Sequence, residues 1–288
     1  NRPGTLNPGR GSSHDHPLSS RFDESDCMVI FDDVLVPWEN VFMYRDIEIF
    51  NSIYRRCHAM GHMAHQFVTK DLCKAEFMMG LAFTLVKTTK IDEFQHIQAM
   101  LAEMINNTQV IRSCILTAEA EAELRDTGVM EPNSGPLAAM RYQFPEMFRR
   151  SCEALQIMGA GGLVMVPSYA EMSGPLKQEV ETYYQAAAAD SATRIRLFRL
   201  AFDAAMSTFS ARQQLYERYF AGDPVRGAGG LYNAFDKAPY IERVSALMQR
   251  ASQKPIRTFS IGFHEKGYDE AKHAKAVAAH LGTERRVD

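Results

Sequence analysis

FQHIQAMLAEMINNTQVIRSCI, residues 94–115, repeats its apolar and small side chains at Phe94, Ile97, Leu101, Met104, Ile105, Thr108, Ile111 and Ile115. Steps of three and four put all of them on one face of a long helix, and a stripe that wide must be covered by other helices. Arg125 and Gly128 are predicted to close this helix. A second run of the same kind, IRLFRLAFDAAMSTFSARQQLY at 195–216, aligns Ile195, Phe198, Phe202, Ala205, Phe209, Arg212 and Tyr216. That spacing packs helices nearly antiparallel. With helices predicted over 46–88 and 137–158, the pattern gives a mainly α chain built on a four-helix bundle, with shorter helices over 175–188 and 236–250.

The flanks read differently. Residues 1–24 are rich in Gly, Pro, Ser and Asn and predict loop. Cys27 to Phe31 and Val34 to Val36 are short apolar runs split by Asp32-Asp33, the pattern of one or two strands. A sheet needs several strands, so residues 1–44 are expected to be the remnant of a β domain whose body lies upstream. The opening residue is Asn rather than Met, which processing and a missing upstream part would explain equally well. Residues 45–252 form the bundle domain. Residues 253–288 are a third piece: an alternating strand from Thr258 to Phe263, a turn at Lys266-Gly267, and an Ala-rich helix, with no further strand evident for the first to join.

Composition narrows the partners. Formal charge is −3 and the basic residues are dispersed, which argues against nucleic acid and against an anionic membrane surface. The longest strongly apolar stretch, around Phe77 to Val86, is far shorter than the ~18–20 residues a membrane helix needs. Residues 1–17 lack the apolar segment of a signal peptide. Five cysteines, widely spaced and without a CxxC pair, fit reduced thiols of the cytoplasm. A small molecule is the expected partner.

Arg212 stands out on a seam otherwise filled by Phe198, Phe202 and Phe209. A buried guanidinium requires an anion, which a carboxylate on a neighbouring helix or a bound phosphate would supply; reaching water is the third possibility. In ALQIMGAGGLVMVPS, Gly159, Gly161 and Gly162 interrupt an apolar helix at an entropic cost. A helix end, a tight crossing or a ligand against exposed amides would each account for them. His58, His62 and His65 share a helical face at offsets of four and three, a spacing open to metal. No Glu joins them in an HExxH pattern, so packed or interface histidines are the expectation and no metal is assigned. Asp32-Asp33 and Glu119, Glu121 and Glu123 read as turn and solvated-face residues.

HDHPLSSRFDESDCMVIFDDVLVPWENVFMYRD, together with GLVMVPSYAEM and the segment from Arg194 to Gly222, resembles the oxygenase component of the 4-hydroxyphenylacetate 3-monooxygenases over about 14–250. The resemblance implies an acyl-CoA dehydrogenase-like fold, in which the strands of 1–44 belong to a middle β domain and the bundle is C-terminal, usually within a homotetramer. It also implies an activity: reduced FAD from a separate flavin reductase reacts with oxygen, and one oxygen atom passes to a phenolic substrate ortho to its hydroxyl. LQIMGAGG is similar to the segment with which such bundles meet the flavin diphosphate, nominating Gln156, Gly159, Gly161 and Gly162. FSARQQLYE corresponds to a segment near FAD and nominates Ser210, Ala211, Arg212 and Gln213. Catalytic residues of the family belong to segments that this sequence lacks, so none is assigned and the chain by itself is expected to show little hydroxylase activity.

Two other readings stand beside this one. The related 4-hydroxybutanoyl-CoA dehydratases add an iron–sulfur cluster, for which His65 and Cys73 come to mind, although PLSSRFDE and VPWENV suit the monooxygenases better. A bundle without catalysis, associating with itself or with intact subunits, is the other. Finally, RTFSIGF with YDE and HAKAVAAHLGTE resembles the ATP-binding domain of asparagine synthetase over about 254–284. The SGGxDS phosphate loop that would precede the strand is replaced by YIERVSALMQRASQ, so amidotransfer is not expected. The junction is placed near Ser252 to Pro255, as in a fused or rearranged reading frame.

Overall fold

The computed structural model describes residues 13–22, 27–251, 257–260 and 284–287. Two compact units divide the chain, Asn1–Gly227 and Ala228–Asp288.

In the first unit the bundle is made by α3 (Ala59–Thr89), α4 (Gln95–Ala120), α5 (Ser134–Gly159) and α8 (Ser191–Ala205). Before them come α1 (Ser19–Phe22) and α2 (Ile47–Arg56); α6 (Tyr169–Ser173) and α7 (Lys177–Tyr183) link α5 to α8, and α9 (Thr208–Tyr219) follows. Along α4, Ile97, Leu101, Met104, Thr108, Ile111 and Ile115 are buried as their spacing predicts. Ile105 is on the flank, 42% exposed, and Phe94 precedes the first turn, 54% exposed. Val68, Leu85, Leu137, Phe144, Leu155 and Ile195 close the centre. Full burial of each is worth ~1.5–3 kcal/mol, so this centre holds the unit together.

Three predicted elements change. The helix over 46–88 is two helices, because His58 takes a left-handed conformation (φ 53°) between α2 and α3. Its ring explains the break: Nε2 lies 3.2 Å from Asp126 Oδ1 and Nδ1 lies 3.2 Å from Glu131 Oε2. Those carboxylates belong to an antiparallel hairpin, β1 (Glu123–Leu124) and β2 (Met130–Glu131), which stands where α4 was predicted to continue. Gly128 turns the hairpin at φ 77°, a conformation glycine tolerates. The 195–216 run is also two helices, because Ser207 accepts from the Ser210 N–H at 3.3 Å and begins α9 as a helix cap. One continuous seam from Ile195 to Tyr216 therefore does not exist.

Residues 27–36 form no ladder among the described residues. Met28, Ile30, Phe31 and Leu35 are each more than 75% exposed. The alternating composition is that of a strand, but a strand is defined by a partner's backbone groups, and none lies beside it among the described residues. Residues 14–22, in contrast, are docked. Asp203 of α8, fully buried, accepts from the N–H groups of Leu18 and Ser19, each at 2.8 Å, and so caps α1. Asp15 accepts from the Tyr169 N–H at 2.9 Å.

In the second unit, α10 (Pro224–Ala234) runs across the division, and α11 (Ala238–Ala251) follows. Of the strand predicted from Thr258 to Phe263, residues 261–263 lie outside the described residues, and 258–260 belong to β3 (Arg257–Ser260), which is not alone. It pairs in parallel with β4 (Glu284–Val287), Arg257 opposite Glu284. The charged run ERRV carries no strand signature, which hid this partner. The turn at Lys266-Gly267 and the Ala-rich helix lie outside the described residues, as does the junction at Ser252 to Pro255.

Candidate functional site

Of the nominated residues, Gln156 of α5 meets the end of α8 and Ser210 meets Cys152 of α5, whereas Gly162, in the 3-10 turn Ala160–Leu163, packs on Phe198 further up α8. Gln156 Nε2 donates to the carbonyl of Ala205 at 2.7 Å, satisfying an acceptor at the end of α8. One turn earlier on α5, the Cys152 thiol sits 4.0 Å from the Ala204 carbonyl and against the Ser210 hydroxyl. Burial pushes this thiol up to about 11, with Ser210 and Lys74 pulling the other way, so it remains a thiol near neutral pH. Gln156 and Ser210 thus share one junction, although they are 54 positions apart (210 − 156).

The three glycines have different reasons. A Cβ at Gly162 would stand 2.7 Å from Phe198 Cε1, so this glycine permits the close crossing of the 3-10 turn over α8. At Gly159 a Cβ would meet the side chain of Leu163. Gly161 alone is open: the nearest atom, Met165 Cε, would be 3.9 Å away, and the residue is exposed. Between them Ala160 is held at φ 45°, ψ −144°, a strained conformation for a residue with a side chain. Packing accounts for Gly159 and Gly162, and Gly161 is where a ligand could approach the backbone.

On α9, Ser210 is buried, Ala211 exposed, and Arg212 and Gln213 half-buried. With the seam broken at Ser207, Arg212 does not lie buried in line with Phe198 and Phe202. The requirement for a buried counter-anion, which rested on a continuous helix, therefore loses its premise. Arg212 is half-buried and lies two residues beyond Ser210 on α9.

Sequence reasoning missed the charged cluster beneath Gln213. Lys74 Nζ donates to Gln213 Oε1 at 2.7 Å and to Glu217 Oε1 at 2.5 Å, while Lys70 Nζ donates to Glu217 Oε2 at 2.5 Å. The Glu217 side chain is 1% exposed. Lys70 Nζ also lies 2.8 Å from Asp71 Oδ1, which is buried. Desolvation raises Asp71 from its ordinary 3.8 to about 6, against the opposing attraction of Lys70. Aromatic faces complete the enclosure: Lys70 Nζ is 4.7 Å from the Phe220 ring centre, and Lys74 Nζ is 5.2 Å from Phe148 and 5.4 Å from Tyr216. The signal in the sequence was Lys70-Asp71 and Lys74, one turn apart, on a helix whose buried residues include Val68, Met78, Leu81, Leu85 and Val86.

His65 pairs with Glu119 at 2.8 Å, which joins α3 to α4. With His58 bound to the hairpin, two of the three helix-face histidines are explained by carboxylates. Among the described residues no helix is long and apolar enough to cross a membrane.

Gly161 leaves its backbone open, and Arg212 and Gln213 are half-buried on α9. Residues 50–249 match the family described as 4-hydroxyphenylacetate 3-hydroxylase C terminal, and residues 1–43 match its N-terminal counterpart. Residues 243–287 match asparagine synthase. The oxygenase component of 4-hydroxyphenylacetate 3-monooxygenase from Thermus thermophilus is 42% identical over 243 residues, 84% of this chain and 50% of its own length. A probable 4-hydroxyphenylacetate 3-monooxygenase of Bacillus subtilis is 36% identical over 82% of this chain and 49% of its own length. A crystal structure of such an oxygenase component complexed with FAD and 4-hydroxyphenylacetate superposes with a TM-score of 0.79 at 42% identity, covering 83% of this chain and 50% of that one. An archaeal 4-hydroxybutyryl-CoA dehydratase shares the fold at a TM-score of 0.66 and 16% identity, covering 86% of this chain and 47% of that one. The chain spans about half the length of the curated relatives it matches.

Proposed function

Because the chain belongs to the 4-hydroxyphenylacetate 3-hydroxylase family, we propose that it supplies the helical-bundle part of a two-component, FAD-dependent phenol ortho-hydroxylase. The observation that carries this is the 42% identity to a named oxygenase component along 84% of the chain. Reduced FAD, delivered by a separate flavin reductase, would supply two electrons to dioxygen, one oxygen atom of which enters the phenol ring while the other leaves as water. The bundle's own task is to hold and shield the cofactor. Gly161 leaves room for it at the 3-10 turn, Arg212 offers a charge suited to a diphosphate, and Gln213 offers an amide. Gln156, Gly159, Gly162, Ser210 and Ala211 shape the junction behind them. Bundle packing against closed apolar surface keeps water from the cofactor.

In this reading residues 1–44 are a β-domain remnant, 45–252 the bundle and 253–288 a separate strand–helix piece. The assembly is a cytoplasmic homotetramer, as in the resemblance. The test is titration of the chain with oxidised and with reduced FAD, followed by assay for catechol formation from a phenol with a reductase present. Saturable flavin binding with negligible catechol supports the reading. Binding of neither form contradicts it and leaves self-association of the bundle, for which the exposed apolar side chains of 28–36 are suited.

A further inference from the structure

Gln213 can present either end of its amide, and the identity of its neighbour decides which. Lys74 has only donors, so the Gln213 oxygen must face it, at 2.7 Å. The NH2 group is then directed away from the cluster. Lys74 is itself held firmly: Glu217, 1% exposed, accepts from the same ammonium at 2.5 Å, and the rings of Phe148 and Tyr216 flank it. Glu217 is in turn fixed by Lys70 from one turn earlier on α3. Without Lys74, rotation of the amide by half a turn would exchange donor for acceptor at little cost.

We propose that Lys74 is a positioning residue for flavin, locking Gln213 so that its NH2 donates outward to an acceptor-rich group, a phosphate or flavin carbonyl oxygen. This rests on the reading above that the first turns of α9 face FAD. Lys74 touches no ligand in this account; it acts through Gln213.

FAD titration of the full 288-residue chain and its variants, with thermal unfolding measured in parallel, provides the test. Gln213→Glu keeps shape and the acceptor facing Lys74 but replaces the outward donor by an oxygen. It is expected to weaken FAD binding by about tenfold or more, the worth of one good hydrogen bond. Lys74→Met combined with Glu217→Gln removes the pair without stranding a buried charge and is expected to weaken binding to a similar extent. Lys74→Arg, which restores a donor, is expected to recover it. The decisive comparison is in a Gln213→Leu background, where the Lys74→Met/Glu217→Gln change is expected to cause no further loss. A merely structural lysine would lower affinity equally in both backgrounds, and that result overturns the proposal. Unchanged affinity of Gln213→Glu overturns it too, while leaving the flavin reading intact. A wild-type chain that binds neither form of FAD overturns the flavin reading and this proposal together.

Discussion

Asp203 and Leu18, 185 positions apart, are joined by a hydrogen bond of 2.8 Å from the Leu18 N–H to a carboxylate that is completely buried. The Ser19 N–H shares the same oxygen. A single side chain in the second half of the bundle thereby holds the PLSSRF segment. That segment and the stretch around Asp203, which carry the family resemblance, are therefore one structural feature.

Replacing Asp203 by Ala is expected to strand both N–H groups and to cost about 1–3 kcal/mol. The loss should be local as well as global. Limited proteolysis should cut residues 13–22 faster in the variant, and denaturant unfolding should report the lower stability. Equal cleavage rates would mean that other contacts secure the segment.

Asp71 makes stability depend on pH. Its folded value of about 6 lies above the ordinary 3.8, so the stabilisation it contributes is complete below 3.8 and disappears as pH rises through 6. Over that window the change amounts to roughly 3 kcal/mol, at about 1.4 kcal/mol per pH unit of displacement. Asp71→Asn should flatten this component. The unfolding free energy of the variant relative to wild type should increase by that order between pH 4 and pH 8. A difference that is constant with pH would show that Asp71 titrates normally.

Ala160 occupies a backbone conformation suited to glycine, with φ 45°. Ala160→Gly should relieve strain and raise stability by about 1 kcal/mol, read as a higher midpoint of denaturation. A lower midpoint would indicate that the strain is absent and that only chain entropy was changed.

The two neighbouring glycines should respond oppositely to alanine. Gly162→Ala drives a methyl into Phe198, which is 2% exposed, and should cost about 1–3 kcal/mol by overpacking. Gly161→Ala meets nothing closer than ordinary contact and should alter stability by less than about 0.5 kcal/mol. Any effect of Gly161→Ala on flavin affinity then reports on the ligand rather than on folding.

The bundle was legible because Ile97, Leu101, Met104 and Ile111 repeat at helical spacing, and packing of such a stripe admits few architectures. Where the helices stop was less legible. Ser207 carried a cap signal, but apolar periodicity continued across it and suggested one helix where there are two. His58 gave no comparable hint, since its turn is fixed by Asp126 and Glu131 more than sixty positions away. The site was partly visible: GAGG admitted a helix end among its readings, but FSARQQ was placed inside a continuous helix, and only tertiary contact brings Gln156 to the end of α8 and Ser210 to Cys152. The charged cluster was not, because Lys70, Asp71 and Lys74 resemble solvated residues until Glu217 and the aromatic rings close over them.

Hydrogen–deuterium exchange of the 288-residue chain with and without saturating FAD most directly tests whether flavin rests on this junction. Slower exchange is predicted in peptides spanning Gln156–Met165 and Ser207–Gln213, with little change along the centre of α4. Flavin binding that protects other regions and leaves both of these segments unaltered would contradict the account.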